Sequence, residues 1–186
     1  MTNMEPATDR GPSRILIVDD EPAILNAMRR SLRGEGIEVL DAGSAVAALE
    51  MLAQHPPVDL VLSDQNMPGM SGIEMMVEMR RRHPETVRVL ISAQCDIQSA
   101  ADAINDGLIS RFVLKPWRDE ELETVVTLAL RDGKLLRETR AVLADVDRLV
   151  VQMRAPAGDA LQASQRVVPS VKRLLEAHER RMTWGA

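Results

Sequence analysis

The chain has 186 residues, 45% of them hydrophobic and 27% charged, which is enough to bury one full domain with a smaller extension. Its formal net charge of −5 argues against a surface built for phosphate backbones, so we predict no nucleic-acid partner. Cys95 is the sole cysteine, which excludes an internal disulfide and favours a cytoplasmic location. No apolar run approaches the roughly 20 residues that cross a bilayer, and no membrane contact is predicted.

The N-terminal residues 1–13 are polar and contain proline and glycine, and we predict that they form a disordered leader. The pattern changes at Arg14. An apolar run at residues 15–18 ends in Asp19 and Asp20, and Pro22 then opens a helical pattern. This stretch predicts a strand, an acidic turn and a helix.

The same alternation of short apolar runs and helical spacing continues along the chain. Further strands are predicted at residues 37–41, 61–64, 89–92 and 111–115, and Ser44 and Ser71 are predicted to cap helices at residues 45–54 and 73–82. Five strands alternating with five helices predict an α/β fold, a doubly wound parallel sheet with helices on both faces.

A long helix is predicted at residues 119–153, and its one clear weak point is Gly133, because glycine has a low helix propensity. Its positions 122, 125, 129, 132, 136, 139, 143, 146, 150 and 153 alternate steps of three and four, and all but Asp132 and Thr139 are apolar. We predict a coiled-coil extension at residues 131–154 that pairs two chains as a parallel homodimer. The alternative is that the stripe folds back on its own domain. Residues 155–186 are predicted to form a linker and a short helix.

Reactive side chains follow four of the predicted strands. Asp19 and Asp20 follow the first, Asp64 the third, Ser92 the fourth and Lys115 the fifth. Because the carboxyl ends of parallel strands meet at one edge of a sheet, we expect these groups to converge. Three carboxylates at one edge favour a hard divalent cation, Mg²⁺ or Mn²⁺, and one of them can then act as a nucleophile toward phosphorus.

This constellation resembles the response-regulator receiver family of two-component signalling. The resemblance is carried by DDEP at 19–22, DQNMPGMSG at 64–72, SA at 92–93 and KPW at 115–117, and it covers residues 14–130. It implies the chemotaxis-regulator-like strand order 2-1-3-4-5. The serine at position 92, where threonine is common, and Leu108, where alanine is common, are departures that keep every required functional group.

The resemblance also implies a role for each matching residue. Asp64 is the implied phosphoacceptor, Lys115 the cation facing the phosphoryl group, and Ser92 and Phe112 the switch hydroxyl and switch aromatic. The implied metal ligands are Asp19, Asp20 and Asp64, with the backbone carbonyl of Asn66. The implied phosphodonor is a histidine kinase or a phosphotransfer protein, or a small donor in autophosphorylation.

We therefore expect the chain to be a signalling protein and not an enzyme. It should act through a downstream protein that the sequence does not identify. One alternative is that the chain is the input portion of a longer regulator with an enzymatic effector, such as a cyclic-dinucleotide phosphodiesterase. A third hypothesis, a transcription factor, ranks lowest because the residues after Pro156 are too few for a helix-turn-helix domain. Taken alone, Phe112 and the five methionines from Met67 to Met79 are more simply explained as core residues.

Overall fold

The computed structural model describes residues 11–54, 57–93 and 97–153, apart from the side chains of residues 97 and 149–153. The chain divides into two compact units between Gly133 and Lys134. The predicted leader up to residue 10, Cys95 and the linker and helix predicted at residues 155–186 lie outside the described residues. No helix in the described ranges is both long and apolar enough to cross a membrane.

Five parallel strands form one sheet in the order β2-β1-β3-β4-β5, which confirms the predicted fold class and strand order. The strands are β1 Ser13–Val18, β2 Ile37–Ala42, β3 Leu60–Asp64, β4 Val87–Ser92 and β5 Arg111–Leu114. Their apolar runs are continuous because helices cover both faces of the sheet. Strand β1 begins two residues before the predicted apolar run, since Ser13 pairs with Ile37, so the last residue of the predicted leader belongs to the sheet.

Five helices connect or follow these strands, and serine side chains cap the starts of two of them. The helices are α1 Pro22–Ser31, α2 Ala45–Gln54, α3 Gly72–Arg82, α4 Ile97–Asn105 and α5 Asp119–Met153. Ser44 Oγ accepts a hydrogen bond from the Ala47 N–H at 3.2 Å. Ser71 and Glu74 form a reciprocal capping box at the start of α3. Both predicted caps are therefore present.

Alternate residues of the strands feed two separate cores. Leu16, Val18, Val61 and Leu90 pack beneath α2, α3 and α4, where the fully buried Met75, Met76 and Met79 fill the space. The other face carries Ile15, Ile17, Leu62 and Ile91 beneath α1 and the beginning of α5. The methionine-rich stretch is thus largely core, as its helical spacing predicted.

Helix α5 uses its apolar stripe in two ways. Before Gly133, Leu122 and Ala129 are buried in the core of the first unit and Val125 packs against it. The helix continues through Gly133, and beyond it Leu136 and Leu143 are each 58% exposed. Asp132, a polar exception in the stripe, accepts a hydrogen bond from Arg111 of β5 at 2.7 Å. The stripe therefore serves the domain's own core before Gly133, while the coiled coil beyond it stays a prediction.

Candidate functional site

Two aspartates lie buried at the carboxyl edge of the sheet. Asp19 directly follows β1 and Asp64 ends β3, and these strands are neighbours in the sheet. Their side chains are only 1% and 6% exposed. Isolated carboxylates at that depth are costly to keep ionised, so the surrounding groups have to stabilise them.

The ammonium group of Lys115 bridges the two carboxylates. Lys115 follows β5, and its Nζ lies 2.6 Å from Asp64 Oδ1 and 3.1 Å from Asp19 Oδ2. A cis peptide bond joins it to Pro116. The predicted convergence of side chains from separate loops is therefore present for this trio.

Backbone amides satisfy the remaining carboxylate oxygens. The Glu21 N–H donates to Asp19 Oδ1 at 2.8 Å, and the Asn66 N–H donates to Asp64 Oδ2 at 2.7 Å. Each of the four oxygens thus accepts one charged or backbone donor. Since an ionised carboxylate offers about four lone-pair positions, both aspartates keep capacity for a further electrophilic partner.

The electrostatic balance appears in the pKa of Lys115. Burial lowers this pKa, but the hydrogen bonds and the negative charges of Asp64 and Asp19 outweigh burial and raise it above the usual value of 10.5. Lys115 is therefore fully protonated at neutral pH. Two carboxylates and one ammonium leave the cluster with one net negative charge, which suits a divalent cation.

The predicted metal ligands are only partly gathered in this structure. Asp19 and Asp64 supply hard oxygen donors, and the Asn66 backbone lies beside Asp64, so this donor set fits Mg²⁺ or Mn²⁺. Asp20 is exposed, and the described part of the chain holds no group of three or more His, Cys, Asp or Glu side chains arranged around a common point. In this arrangement Lys115 lies between the two buried carboxylates and balances one of their two charges. The ligand role of Asp20 stays a prediction.

The two predicted switch residues lie on adjacent strands. Ser92 ends β4, is fully buried, and donates from its Oγ to the Ala93 carbonyl at 3.3 Å. Phe112 on β5 is partly buried and packs against the core beneath α2, α3 and α4. The Lys115 N–H donates to the Ser92 carbonyl at 2.9 Å, which ties the loop carrying the ammonium to the strand carrying the hydroxyl.

Gly72 is a residue of the site whose role the sequence did not reveal. A Cβ atom at this position would lie 2.2 Å from the Asp64 carbonyl oxygen and 3.0 Å from Leu90 Cδ1. The first turn of α3 therefore lies so close to the backbone of Asp64 that only glycine, which has no side chain, fits at position 72. In the sequence Gly72 appears only as the last residue of the DQNMPGMSG motif, because its contact with the end of β3 depends on the fold.

The model of the family described as "Response regulator receiver domain" matches residues 15–127. The hydrogenase transcriptional regulatory protein HoxA of Cupriavidus necator is 34% identical over 85% of this chain and 31% of its own length. The transcriptional regulatory protein KdpE of Mycobacterium tuberculosis is 31% identical over 75% of this chain and 60% of its own length. The chain thus spans less than two thirds of these relatives.

Solved structures show the same similarity. The signal receiver domain of an HD domain-containing protein from Pseudomonas fluorescens Pf-5 matches 73% of this chain and 98% of that chain, with a TM-score of 0.66 and 33% identity. Since the family model covers more than half of the chain and the sheet has the expected strand order, the resemblance noted in the sequence is confirmed. This chain belongs to the response regulator receiver family.

Proposed function

We propose that this chain is a two-component response regulator that accepts a phosphoryl group on Asp64 from a histidine kinase or a phosphotransfer protein. The observation that carries this proposal is the contact of Lys115 Nζ with both Asp64 and Asp19. A lysine that only stabilised the fold would not need two buried carboxylates at the open edge of a parallel sheet. This edge is where doubly wound folds bind their ligands.

The chemistry assigned to Asp64 is nucleophilic. One of its carboxylate oxygens attacks the phosphorus of a phosphohistidine, a P–O bond forms, and the P–N bond breaks with its electron pair leaving on the imidazole. The ammonium of Lys115, already 2.6 Å from Asp64 Oδ1, stays beside the new acyl phosphate and neutralises part of its charge. The chain is then the phosphoacceptor, and small donors such as acetyl phosphate can take the place of the protein donor. Water later hydrolyses the acyl phosphate and returns Asp64 to its unmodified state.

A divalent cation completes the proposed site. Asp19, Asp20, Asp64 and the backbone carbonyl of Asn66 would hold Mg²⁺ or Mn²⁺. When bound, the ion supplies charge neutralisation for the phosphoryl oxygens. Asp19 is already fixed for this task by the Glu21 N–H, whereas Asp20 would have to turn from solvent toward the ion.

Ser92 and Phe112 would convert the modification into a change at the surface. Ser92 Oγ now donates to the adjacent Ala93 carbonyl, a local contact that a phosphoryl oxygen can replace as acceptor. Movement of this hydroxyl would open space toward β5, into which the partly buried Phe112 can turn. The change would then reach α4, β5 and α5 as a shift between two populations.

The output side of the protein is assigned to α5. The HoxA match covers 85% of a 186-residue chain, so it has to include the whole of α5. The similarity therefore continues past the receiver domain into the extension, through which we propose that the chain forms a homodimer. The exposed Leu136 and Leu143 support this part of the proposal.

A second candidate is that these residues are the input portion of a longer regulator. It is favoured by the relatives, since the chain spans only 31% of HoxA and 60% of KdpE, both named as transcriptional regulators. The receiver domain from P. fluorescens likewise belongs to a longer protein, one that is named for its HD domain. Genomic sequence that continues past codon 186 into a DNA-binding or enzymatic domain would support this candidate, and a stop codon there would exclude it.

Phosphoryl labelling tests the main proposal. The full chain is incubated with Mg²⁺ and acetyl phosphate, and the acyl phosphate is detected by intact mass and by its lability to hydroxylamine. Asp64→Asn should abolish labelling, whereas Asp106→Asn, which changes an exposed aspartate after α4, should label like the wild type. Labelling of Asp64→Asn at the wild-type level would refute the assignment.

A further inference from the structure

Gln65 directly follows the candidate phosphoacceptor Asp64 and makes three hydrogen bonds to other elements of the fold. Its N–H donates to the Ile91 carbonyl of β4 at 2.8 Å, and its own carbonyl accepts from the Gly72 N–H at 3.0 Å. Its side-chain Oε1 accepts from the Ile73 N–H at 3.2 Å. This one residue therefore joins the end of β3 to β4 and, by two bonds, to the first turn of α3.

The start of α3 depends on Gln65 for half of its caps. The first four amides of a helix, counted from its N-cap residue, have no acceptor within the helix. In α3 the Ser71 N–H donates to Glu74 Oε2 at 2.8 Å, and the Glu74 N–H donates to Ser71 Oγ at 3.3 Å. The two amides between them, those of Gly72 and Ile73, donate to Gln65. The capping box and Gln65 therefore satisfy two amides each.

The peptide group between Gln65 and Asn66 connects this cap to the carboxylate of Asp64. Its carbonyl, which belongs to Gln65, accepts from the Gly72 N–H, and its N–H, which belongs to Asn66, donates to Asp64 Oδ2 at 2.7 Å. Because a peptide group is planar, its carbonyl and its N–H turn together. The first turn of α3 and the Asp64 carboxylate are therefore bonded to opposite sides of one rigid group.

We propose that Gln65 is a positioning residue for Asp64. By accepting from the Ile73 N–H, its side chain holds the Gln65–Asn66 peptide in one orientation against α3, and this peptide holds the Asp64 carboxylate through Oδ2. The proposal deepens the role of Asp64 under "Proposed function" and rests on it. Gln65 thus acts through a peptide group, on a carboxylate and on an Asn66 carbonyl that are both proposed ligands of the divalent cation.

The capping box provides the control that separates positioning from helix stability. Gln65→Met and Ser71→Ala each remove one side-chain acceptor from an amide in the first turn of α3, so each should lower the melting temperature by about 3 °C. Only Gln65→Met weakens the hold on the peptide that is bonded to Asp64. Gln65→Glu is the conservative variant, because it keeps the acceptor oxygen and its added negative charge does not oppose a cation.

Mn²⁺ binding to the unmodified full chain, measured by electron paramagnetic resonance, tests the proposal without a phosphoryl donor. Gln65→Met should bind Mn²⁺ roughly tenfold more weakly than the wild type, as is usual when a group that orients metal ligands is removed. Its labelling by acetyl phosphate at limiting Mg²⁺ should slow by a similar factor. Ser71→Ala should bind Mn²⁺ and be labelled like the wild type, and Gln65→Glu should bind Mn²⁺ at least as tightly.

Each other result would overturn the proposal. Equal losses of Mn²⁺ affinity in Gln65→Met and Ser71→Ala, or no loss in either, would make Gln65 an ordinary helix cap. A loss in Gln65→Glu as large as that in Gln65→Met would show that the acceptor oxygen has no role. A wild-type chain that binds no Mn²⁺ would remove the proposal and the ion site together, whereas wild-type labelling of Asp64→Asn would refute the phosphoacceptor alone.

Discussion

Two regions of this molecule depart from the usual distribution of residues, in opposite ways. At the carboxyl edge of the sheet, the charged side chains of Asp19 and Asp64 are buried. On α5 beyond Gly133, the apolar side chains of Leu136 and Leu143 are exposed. The first departure is compensated inside the domain by Lys115. The two leucines stay exposed on the surface of the helix, so a buried charge here indicates chemistry and an exposed leucine indicates a partner.

The largest expected effect is a difference in the free energy of unfolding between two leucine-to-alanine substitutions on α5. Leu122→Ala should lower the free energy of unfolding by about 3 kcal/mol, because Leu122 is fully buried and its removal leaves a cavity. Leu143→Ala should change that free energy by less than about 0.5 kcal/mol while weakening dimerisation. Urea denaturation at low protein concentration measures the first quantity, and ultracentrifugation the second. Equal losses of stability would show that α5 is used alike on both sides of Gly133.

A somewhat smaller effect is expected where α3 approaches the site. Gly72→Ala should cost about 2–3 kcal/mol and reduce labelling of Asp64, because the new methyl group would collide with the Asp64 carbonyl. Gly43→Ala is the matched control, since a Cβ there meets nothing within 4 Å. Unfolding in urea and the rate of acetyl phosphate labelling measure the two effects. A Gly72→Ala protein with wild-type stability and labelling would remove Gly72 from the site.

These residues show where sequence information is sufficient and where it ends. The strand runs, the caps at Ser44 and Ser71, and the strand-end positions of Asp64 and Lys115 depend on local patterns and on the rule that parallel strand ends meet. The outward position of Asp20 and the contact of Gly72 with Asp64 depend on side-chain orientation and on approach between elements distant in sequence. The same limit applies to α5, because periodicity identifies an apolar stripe but not what covers it.

Replacing Lys115 tests how far the stability of the fold depends on its ammonium group beside the two buried carboxylates. Lys115→Met should lower the free energy of unfolding by about 2 kcal/mol, since Asp19 and Asp64 lose their shared cation. Millimolar Mg²⁺ should raise the melting temperature of this variant more than that of the wild type, because the ion then provides the missing neutralisation. Lys115→Arg is the control that keeps the charge. No difference in the response to Mg²⁺ would argue against a shared ion site at Asp19 and Asp64.

The smallest predicted effect is a pH dependence of the same contact. The folded state raises the pKa of Lys115, so the stabilisation is complete below the unfolded value of about 10.5 and is lost as the pH rises through the higher folded value. The effect is smaller than that of Lys115→Met because the neutral amine still fills the space.

The measurement compares wild type with Lys115→Met in urea from pH 8 to pH 12. The difference in stability should be constant up to about pH 10.5 and shrink above it. The chain suits this test, since it has no tyrosine and its other lysines, Lys134 and Lys172, are present in both proteins and cancel. A difference that stayed constant to pH 12 would mean that the ammonium charge does not hold the two aspartates in place. The contrast between the buried charges of the sheet edge and the exposed leucines of α5 would then lose its electrostatic basis.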